Sequence, residues 1–322
     1  MKLLRMTGLE KRFPVRRGLL GWPLQTLNAV DGVDLEIRGG ESLALVGESG
    51  SGKSTLARLV LQLIAPDAGS IELDGESILG LRGPRLLEVR RRMQMIFQDP
   101  YSSLDPTLEV RDILAEPLRV HRHGGVDDAR LARLLTDVSL AADFLSRMPH
   151  ELSGGQRQRV AIARALAIDP ELIACDEIVS ALDTSTRAQI INLLQSLQAS
   201  RGLSLLFITH DLSIVPHVAK RVAVLYLGRI VEEGSVETVF AQPAHPYTQA
   251  LIASIPVANP RAGRRSWELG RAVDVSGEGR PEGGCAYLPR CPRAVSRCRG
   301  EVPVLDAIDG RSVACHATLA SR

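Results

Sequence analysis

Short apolar runs alternate with amphipathic helical patterns along much of the chain. Residues 42–46, 172–176 and 203–209 are apolar runs of strand length. Apolar residues recur at helical spacing over about 53–64 and 186–199, in each case between two such runs. Strands that alternate with helices indicate βαβ units and a parallel sheet. The pattern therefore predicts an α/β fold.

The amino-terminal part of the chain has a different pattern. The first forty residues are β-rich, with strict alternation of apolar and polar residues over 33–37. The Arg- and Gly-rich stretch 16–23 interrupts this pattern and is interpreted as a loop insertion. Residues 86–150 are more polar and mostly helical in pattern, which predicts a separate helical lobe.

The pattern changes again towards the carboxyl terminus. Residues 222–233 predict a hairpin whose turn contains Gly228. Beyond about residue 241 the composition shifts to Pro, Gly and Arg, and four cysteines follow. We therefore divide the chain into residues 1–240 and a small appended unit, residues 241–322.

Composition excludes several classes of protein. The 322 residues are 45% hydrophobic and 24% charged, as in a globular protein with a sizeable core. Lys and Arg total 39 against 37 Asp and Glu, and aromatic residues are only 3%, so we expect no nucleic-acid partner. No apolar run reaches membrane-spanning length, and the amino terminus lacks the apolar core of a signal peptide. We expect a chain that is neither secreted nor membrane-spanning.

A phosphate-binding motif lies between the first core strand and the helix after it. The motif G-x-x-x-x-G-K-[ST] is formed by Gly47, Glu48, Ser49, Gly50, Ser51, Gly52, Lys53 and Ser54, followed by Thr55. Its glycines allow backbone N–H groups to surround phosphate oxygens at a helix N-terminus. Lys53 is expected to bind phosphate and Ser54 to bind Mg²⁺. The alternative is a Gly/Ser turn with an incidental lysine, which the flanking strand and helix disfavour.

Two carboxylates end the second apolar run. Asp176 is placed to hold a metal ion at the carboxyl end of a parallel strand, and Glu177 to orient or deprotonate a water molecule. The alternative is an acidic pair that complements a helix dipole. His210 follows the third run, where a lone histidine is more often structural.

A second candidate anion site opens a predicted helix over 156–167. Ser153 and Gln156 have the spacing of a capping box, which explains their positions structurally. It does not explain Gly154 and Gly155, since each glycine in a helix costs up to about 1 kcal/mol relative to alanine. Bare N–H groups at a helix start bind anions, so a nucleotide held between two subunits is indicated.

The cysteines are concentrated near the carboxyl terminus. Cys285, Cys291, Cys298 and Cys315 have the spacing C-x5-C-x6-C-x16-C, whereas Cys175 lies alone in an apolar run and is interpreted as a core residue. Four thiols in a chain without a secretion signal favour a metal over disulfides. The closely spaced pairs that usually bind zinc are absent from the sequence, but zinc and unliganded thiols remain open.

Together these motifs resemble the ATP-binding cassette (ABC) family, over essentially the whole chain. The phosphate loop resembles Walker A, residues 172–177 Walker B, and Leu152-Ser-Gly-Gly-Gln156 the LSGGQ signature. The resemblance implies a P-loop NTPase (RecA-like) cassette with a β-subdomain and a helical lobe. It also implies two cassettes that hold ATP between Walker A of one and the signature of the other.

The resemblance also assigns residue roles. Gln98 matches the Q-loop, Asp183 the D-loop and His210 the switch histidine. Glu177, His210 and Gln98 are then the catalytic residues, and Ser54, Gln98 and Asp176 hold Mg²⁺. Phe13 is the best match for the aromatic residue that stacks on the base, with Trp22 weaker. Ile178 stands where a proline commonly follows the glutamate, which we expect catalysis to tolerate.

More narrowly, the chain resembles the ATPase subunits of bacterial oligopeptide/dipeptide importers. The stretches 97–106 and 245–251 carry this likeness, and the four cysteines match a 4Fe–4S cluster site of that subfamily. The likeness implies two separate permease subunits, an extracytoplasmic solute-binding protein, and a position on the cytoplasmic side of the inner membrane. Nickel importers remain an alternative. A cassette of DNA repair or translation is disfavoured, because the chain has one cassette and no sustained heptads between residues 53 and 153.

Overall fold

The computed structural model describes residues 2–17, 23–99, 103–255 and 283–320. Its strands form a four-stranded and an eight-stranded sheet. The strands are β1 Lys2–Arg17, β2 Pro23–Arg38, β3 Ser42–Val46, β4 Ala68–Leu73, β5 Glu76–Ser77, β6 Met93–Ile96, β7 Leu172–Asp176, β8 Ser204–Thr209, β9 Arg221–Tyr226, β10 Arg229–Ser235, β11 Asp306–Ile308 and β12 Arg311–Val313. Trp22 lies outside the described residues.

The helices surround the eight-stranded sheet. They are α1 Lys53–Val60, α2 Gly83–Arg92, α3 Val110–Val120, α4 Asp128–Asp137, α5 Gly154–Leu166, α6 Thr184–Arg201, α7 Val215–Val218, α8 Val236–Ala241, α9 Pro246–Ala253 and α10 His316–Ala320. The predicted helices at 53–64, 156–167 and 186–199 are confirmed, with their ends shifted by a few residues. Within the described ranges, no helix combines the length and apolarity that crossing a membrane requires.

The eight-stranded sheet has the order β11-β12-β10-β9-β3-β8-β7-β6. Strands β6, β7, β8, β3 and β9 pair in parallel, so the predicted parallel sheet is confirmed. Every residue of β3, β7 and β8 is buried, which explains their unbroken apolar sequence. The carboxyl ends of these three strands lie at one edge of the sheet, where ligands bind in open α/β sheets.

The four-stranded antiparallel sheet, of order β2-β1-β4-β5, contains the amino-terminal residues. Strands β1 and β2 pair along almost their whole length, from Lys2 with Arg38 to Arg17 with Pro23. The predicted loop 16–23 is therefore wrong at both ends, since Arg16, Arg17 and Pro23 belong to strands. The centre of that loop falls in the undescribed residues 18–22.

The predicted helical lobe needs a correction. Residues 93–96 form strand β6, which pairs in parallel with β7 and so belongs to the main sheet. The strand is only four residues long and directly follows α2. Its apolar residues therefore continue the helical spacing of α2 in the sequence, and the pattern does not predict a strand. Helices α3, α4 and α5 pack on one another through a continuous apolar cluster and form the helical part.

Two short strands of the carboxyl-terminal unit extend the edge of the main sheet. Strand β12 pairs with β10, and β11 pairs with β12, at the edge of the main sheet. Cys285, Tyr287 and Cys298 are buried in the same apolar cluster as the sheet and the helices. Part of the unit therefore shares the core of the cassette, while Ile308, Val313 and Cys315 form a small apolar cluster of their own.

Candidate functional site

The phosphate loop connects buried strand β3 to helix α1. Gly52 caps the helix with a φ of 106°, a conformation that favours glycine. A Cβ atom at Gly52 would lie 2.0 Å from the carbonyl oxygen of Ala29, and one at Gly47 2.2 Å from that of Leu225. Only glycine fits at these two positions, because neighbouring backbone fills the space that a side chain needs.

Lys53 is buried at the start of α1, with 5% of its surface exposed. Its Nζ donates hydrogen bonds to the carbonyl oxygens of Gly47 at 2.8 Å and Glu48 at 2.9 Å. Burial lowers the pKa of Lys53, and the carboxylates of Glu177, Asp176 and Glu48 oppose this effect. The cation thus lies within electrostatic range of the predicted carboxylate pair.

Ser54 and Asp176 lie together at the ends of α1 and β7. The Ser54 hydroxyl donates to Asp176 Oδ1 at 3.0 Å, although 122 residues separate them in sequence. Burial raises the pKa of Asp176, and the hydrogen bond from Ser54 partly offsets this. A hydroxyl and a carboxylate oxygen are donors that Mg²⁺ prefers, so the pair fits the predicted magnesium site.

The other two predicted catalytic residues, Gln98 and His210, converge on the Glu177 carboxylate. Gln98 Nε2 donates to Glu177 Oε2 at 2.9 Å, and His210 Nδ1 lies 3.0 Å from Glu177 Oε1. The Glu177 backbone has a φ of 49°, which is unusual for a residue other than glycine. Its N–H donates to the carbonyl of Ile208, so strand β8 helps to hold this conformation. Strain of this kind is concentrated at functional sites.

The signature residues form the predicted capping box. The Gln156 N–H donates to Ser153 Oγ at 3.3 Å, and the Ser153 N–H donates to Gln156 Oε1 at 2.9 Å. A Cβ atom at Gly155 would lie 2.5 Å from Cγ2 of Thr186, so close packing against α6 explains that glycine. Asp183 caps α6 by accepting from the Thr186 N–H at 2.9 Å, and hydrogen bonds lower its pKa.

The remaining predicted nucleotide contacts differ in exposure, and Ser51 is buried at 4% exposure. Ser49 and Gly50 are exposed at the tip of the phosphate loop, while Thr55 is half-buried in α1. Phe13 is exposed on β1, and Lys11 Nζ lies 5.7 Å from the centre of its ring. An exposed aromatic face is suited to stacking, as the prediction for Phe13 requires.

The four carboxyl-terminal cysteines lie near one another. Cys285, Cys298 and Cys315 are buried, Cys291 is half-buried, and all are free thiols. Burial raises the pKa of Cys285 to about 11, and the other three cysteines contribute in the same direction. Over the described part of the chain, however, no group of three or more His, Cys, Asp or Glu side chains is arranged to hold a metal ion. The structure thus gives no support to the predicted 4Fe–4S cluster or to the zinc alternative.

Two contacts to the phosphate loop were missed by the sequence analysis. The Glu48 N–H donates to the hydroxyl of Tyr247 at 2.9 Å, and the Glu48 carboxylate pairs with Arg290. Tyr247 lies in the stretch 245–251 that marks the importer subfamily, which was a signal for its importance. Nothing in the sequence marks Arg290, which is 242 residues from Glu48.

Known proteins match this chain in sequence over almost its whole length. The ABC transporter family model matches residues 30–180, and the model for the carboxyl-terminal region of oligopeptide/dipeptide transporters matches residues 231–298. The oligopeptide transport ATP-binding protein OppF of Salmonella typhimurium is 43% identical over 97% of this chain and 95% of its own length. The dipeptide transport ATP-binding protein DppF of Haemophilus influenzae is 42% identical over 97% of this chain and 96% of its own length.

Solved structures show the same fold. An ATP-binding cassette in a dimeric post-hydrolysis state with ADP and phosphate aligns with a TM-score of 0.64 and 30% identity. The alignment covers 73% of this chain and 99% of that cassette. A P-loop NTPase fold is therefore confirmed, together with the predicted family. The chain belongs to the ABC transporter ATPases, in the oligopeptide/dipeptide transporter subfamily.

Proposed function

We propose that this chain is the ATP-hydrolysing subunit of an importer that takes up dipeptides and oligopeptides through separate permease subunits. The observation that carries the proposal is the convergence of Gln98 and His210 on Glu177, beside Lys53 and the Ser54–Asp176 pair. The match to the carboxyl-terminal region of peptide transporters favours peptides over nickel as cargo.

The chain's own side chains supply the chemistry of hydrolysis. Lys53 carries a buried cation that stabilises the charge of the β- and γ-phosphates. Glu177 orients the attacking water and accepts its proton, since its carboxylate is held from both sides by Gln98 and His210. When ATP is bound, His210 would also contact the γ-phosphate. Catalysis then depends on positioning and charge stabilisation, as phosphoryl transfer requires.

Magnesium and nucleotide complete the site. Ser54, Asp176 and Gln98 would hold Mg²⁺, which neutralises phosphate charge when it is bound. The phosphate loop, residues 47–55, would surround the phosphates, and Phe13 would stack on the base. Residues 153–156 and Asp183 would contact the nucleotide of a second cassette, either identical or homologous. The capping box supports this role because it holds the N–H groups of the α5 terminus in place.

A groove between the main sheet and the helical lobe is the proposed contact surface for the permeases. It encloses about 270 Å³, and its lining combines apolar residues such as Phe97 and Val120 with the charged residues Arg90, Glu116 and Arg164. Phe97 and Val120 are 40% and 54% exposed there, which is unusual for large apolar side chains beside a core. Such a groove fits an amphipathic helix of a membrane partner. The chain would thus lie on the cytoplasmic side of the inner membrane, with a solute-binding protein delivering peptide from outside.

Val120→Asp tests whether this groove is the contact surface for the permeases. We expect the substitution to prevent assembly with the permeases, because it replaces an exposed apolar side chain of the groove with a carboxylate. Peptide-stimulated ATP hydrolysis, measured after mixing the chain with its permeases and partner cassette, should fall at least about tenfold, as after loss of a central contact. Val304→Asp is the matched control, since Val304 is 67% exposed in the carboxyl-terminal unit. Normal assembly and peptide stimulation of the Val120→Asp transporter would show that the groove is not the contact surface.

We propose separately that Cys285, Cys291, Cys298 and Cys315 hold a 4Fe–4S cluster. The proposal rests on the likeness to the importer subfamily and on the sequence spacing of these four free thiols. Anaerobically purified chain is expected to contain iron and acid-labile sulfide, and Cys298→Ser to lose both. Cys175→Ala is the matched control, because Cys175 lies in β7. Purified protein without iron would contradict the cluster.

A further inference from the structure

The carboxyl-terminal unit contacts the phosphate loop through Arg290. This residue ends the short turn Leu288–Arg290, between Cys285 and Cys291. Its Nη1 and Nη2 each donate to one carboxylate oxygen of Glu48, both at 3.0 Å. The Arg290 side chain is only 7% exposed, against 39% for Glu48. A two-bond pair of this kind fixes both distance and orientation.

Three tyrosines form a packed cluster that also contacts Glu48. The ring centres of Tyr226 and Tyr247 lie 4.5 Å apart, and that of Tyr287 lies 5.2 Å from Tyr226 and 5.5 Å from Tyr247. The Tyr247 hydroxyl accepts the Glu48 N–H at 2.9 Å. Glu48 is therefore held at its backbone by α9 and at its side chain by the cysteine-containing unit.

The position of Glu48 makes this contact relevant to nucleotide binding. Its carbonyl and that of Gly47 both accept hydrogen bonds from Lys53 Nζ, so a shift of Glu48 moves the acceptors of the phosphate-binding lysine. Its carboxylate lies close enough to Lys53 to oppose the lowering of the lysine pKa. Without Arg290, the same negative charge would repel the phosphates of ATP.

We propose that Arg290 is a positioning residue that makes the ATP affinity of the phosphate loop depend on the packing of the carboxyl-terminal cysteine unit. The proposal rests on ATP binding by this family and adds a route by which the unit regulates it. Arg290 acts through Glu48 and contacts no reacting atom. Disruption of the unit releases Glu48 and weakens ATP binding. An intact unit fixes Glu48 through Arg290 and so keeps the phosphate loop in the conformation that binds phosphate.

Arg290→Met in the full chain, assembled with its partners, tests the proposal. We expect the KM for ATP to rise about fivefold, as after loss of a charge-assisted pair, with kcat within about twofold of the parent. Arg290→Lys keeps the charge but not the two-bond geometry, so an intermediate rise is expected. The matched control is Arg297→Met, which breaks an exposed ion pair with Glu301 in the same unit and should leave KM unchanged.

A double-mutant cycle with Glu48→Gln separates this role from a purely structural one. The effect of Arg290→Met on KM should largely disappear in the Glu48→Gln background, because no carboxylate is left to neutralise. Thermal unfolding establishes that each variant is folded, and Arg290→Lys carries the test if Arg290→Met is not. An unchanged KM in folded Arg290 variants, or additive effects in the cycle, would overturn the proposal.

Discussion

Replacing Glu177 with glutamine is expected to lower the kcat for ATP hydrolysis at least about a hundredfold, the low end of general-base catalysis. The glutamine amide keeps the size of the side chain and its contacts with Gln98 and His210 but cannot accept a proton. ATP binding should persist, because Lys53 and the phosphate loop are unchanged. The measurement is single-turnover phosphate release together with equilibrium binding of a fluorescent ATP analogue.

Glu237→Gln is the matched control for this experiment. Glu237 is exposed in the first turn of α8 and has no place in the proposed site. Its variant should hydrolyse ATP at the parental rate. Parental turnover by Glu177→Gln would remove Glu177 from the chemical step, whereas joint loss of turnover and binding would mark it as a residue of the nucleotide pocket.

Gly52→Ala is expected to lower ATP affinity at least about tenfold, since a misplaced phosphate loop loses several hydrogen bonds. The added Cβ would lie 2.0 Å from the Ala29 carbonyl oxygen, and the φ of 106° is unfavourable for alanine. The loop or strand β2 must therefore move. Isothermal titration with ATP measures the change, and circular dichroism checks that the fold is retained.

Gly39→Ala is the control for a glycine substitution nearby. Gly39 has nothing within 4 Å of an added Cβ, so neither affinity nor stability should fall appreciably. If Gly52→Ala binds ATP as tightly as Gly39→Ala does, then backbone crowding does not set the shape of the phosphate loop. A loss confined to Gly52→Ala supports the geometry described above.

Much of the central sheet could be predicted because its strands are buried on both faces. Strands β3, β7 and β8 are continuous apolar runs, and helices with clear spacing lie between them. Strand β6 was missed because four residues beside a helix have no period of their own. Strands β11 and β12 were missed because each has three residues, and their place depends on pairing with distant β10.

The residues of the candidate site also differ in how far the local sequence predicts them. Backbone requirements leave a local signal, so the glycines around Lys53 and the capping box at Ser153 could be predicted from spacing. Contacts between distant residues leave none, as with Gln98 and Glu177, which are 79 residues apart. His210 is a lone histidine by its local sequence; the family resemblance gave it a role, and the structure places its Nδ1 3.0 Å from Glu177 Oε1.

The most direct test of the central claim is ATP-driven uptake of a labelled dipeptide. The chain, its partner cassette, the permeases and the solute-binding protein are expressed in cells that lack their own peptide importers. Wild-type chain is predicted to accumulate the peptide, and Glu177→Gln to reduce uptake to the level of cells without the chain. Uptake that is equal in the two, or absent while wild-type chain hydrolyses ATP in the assembled complex, would contradict hydrolysis at Glu177 as the energy source for peptide import.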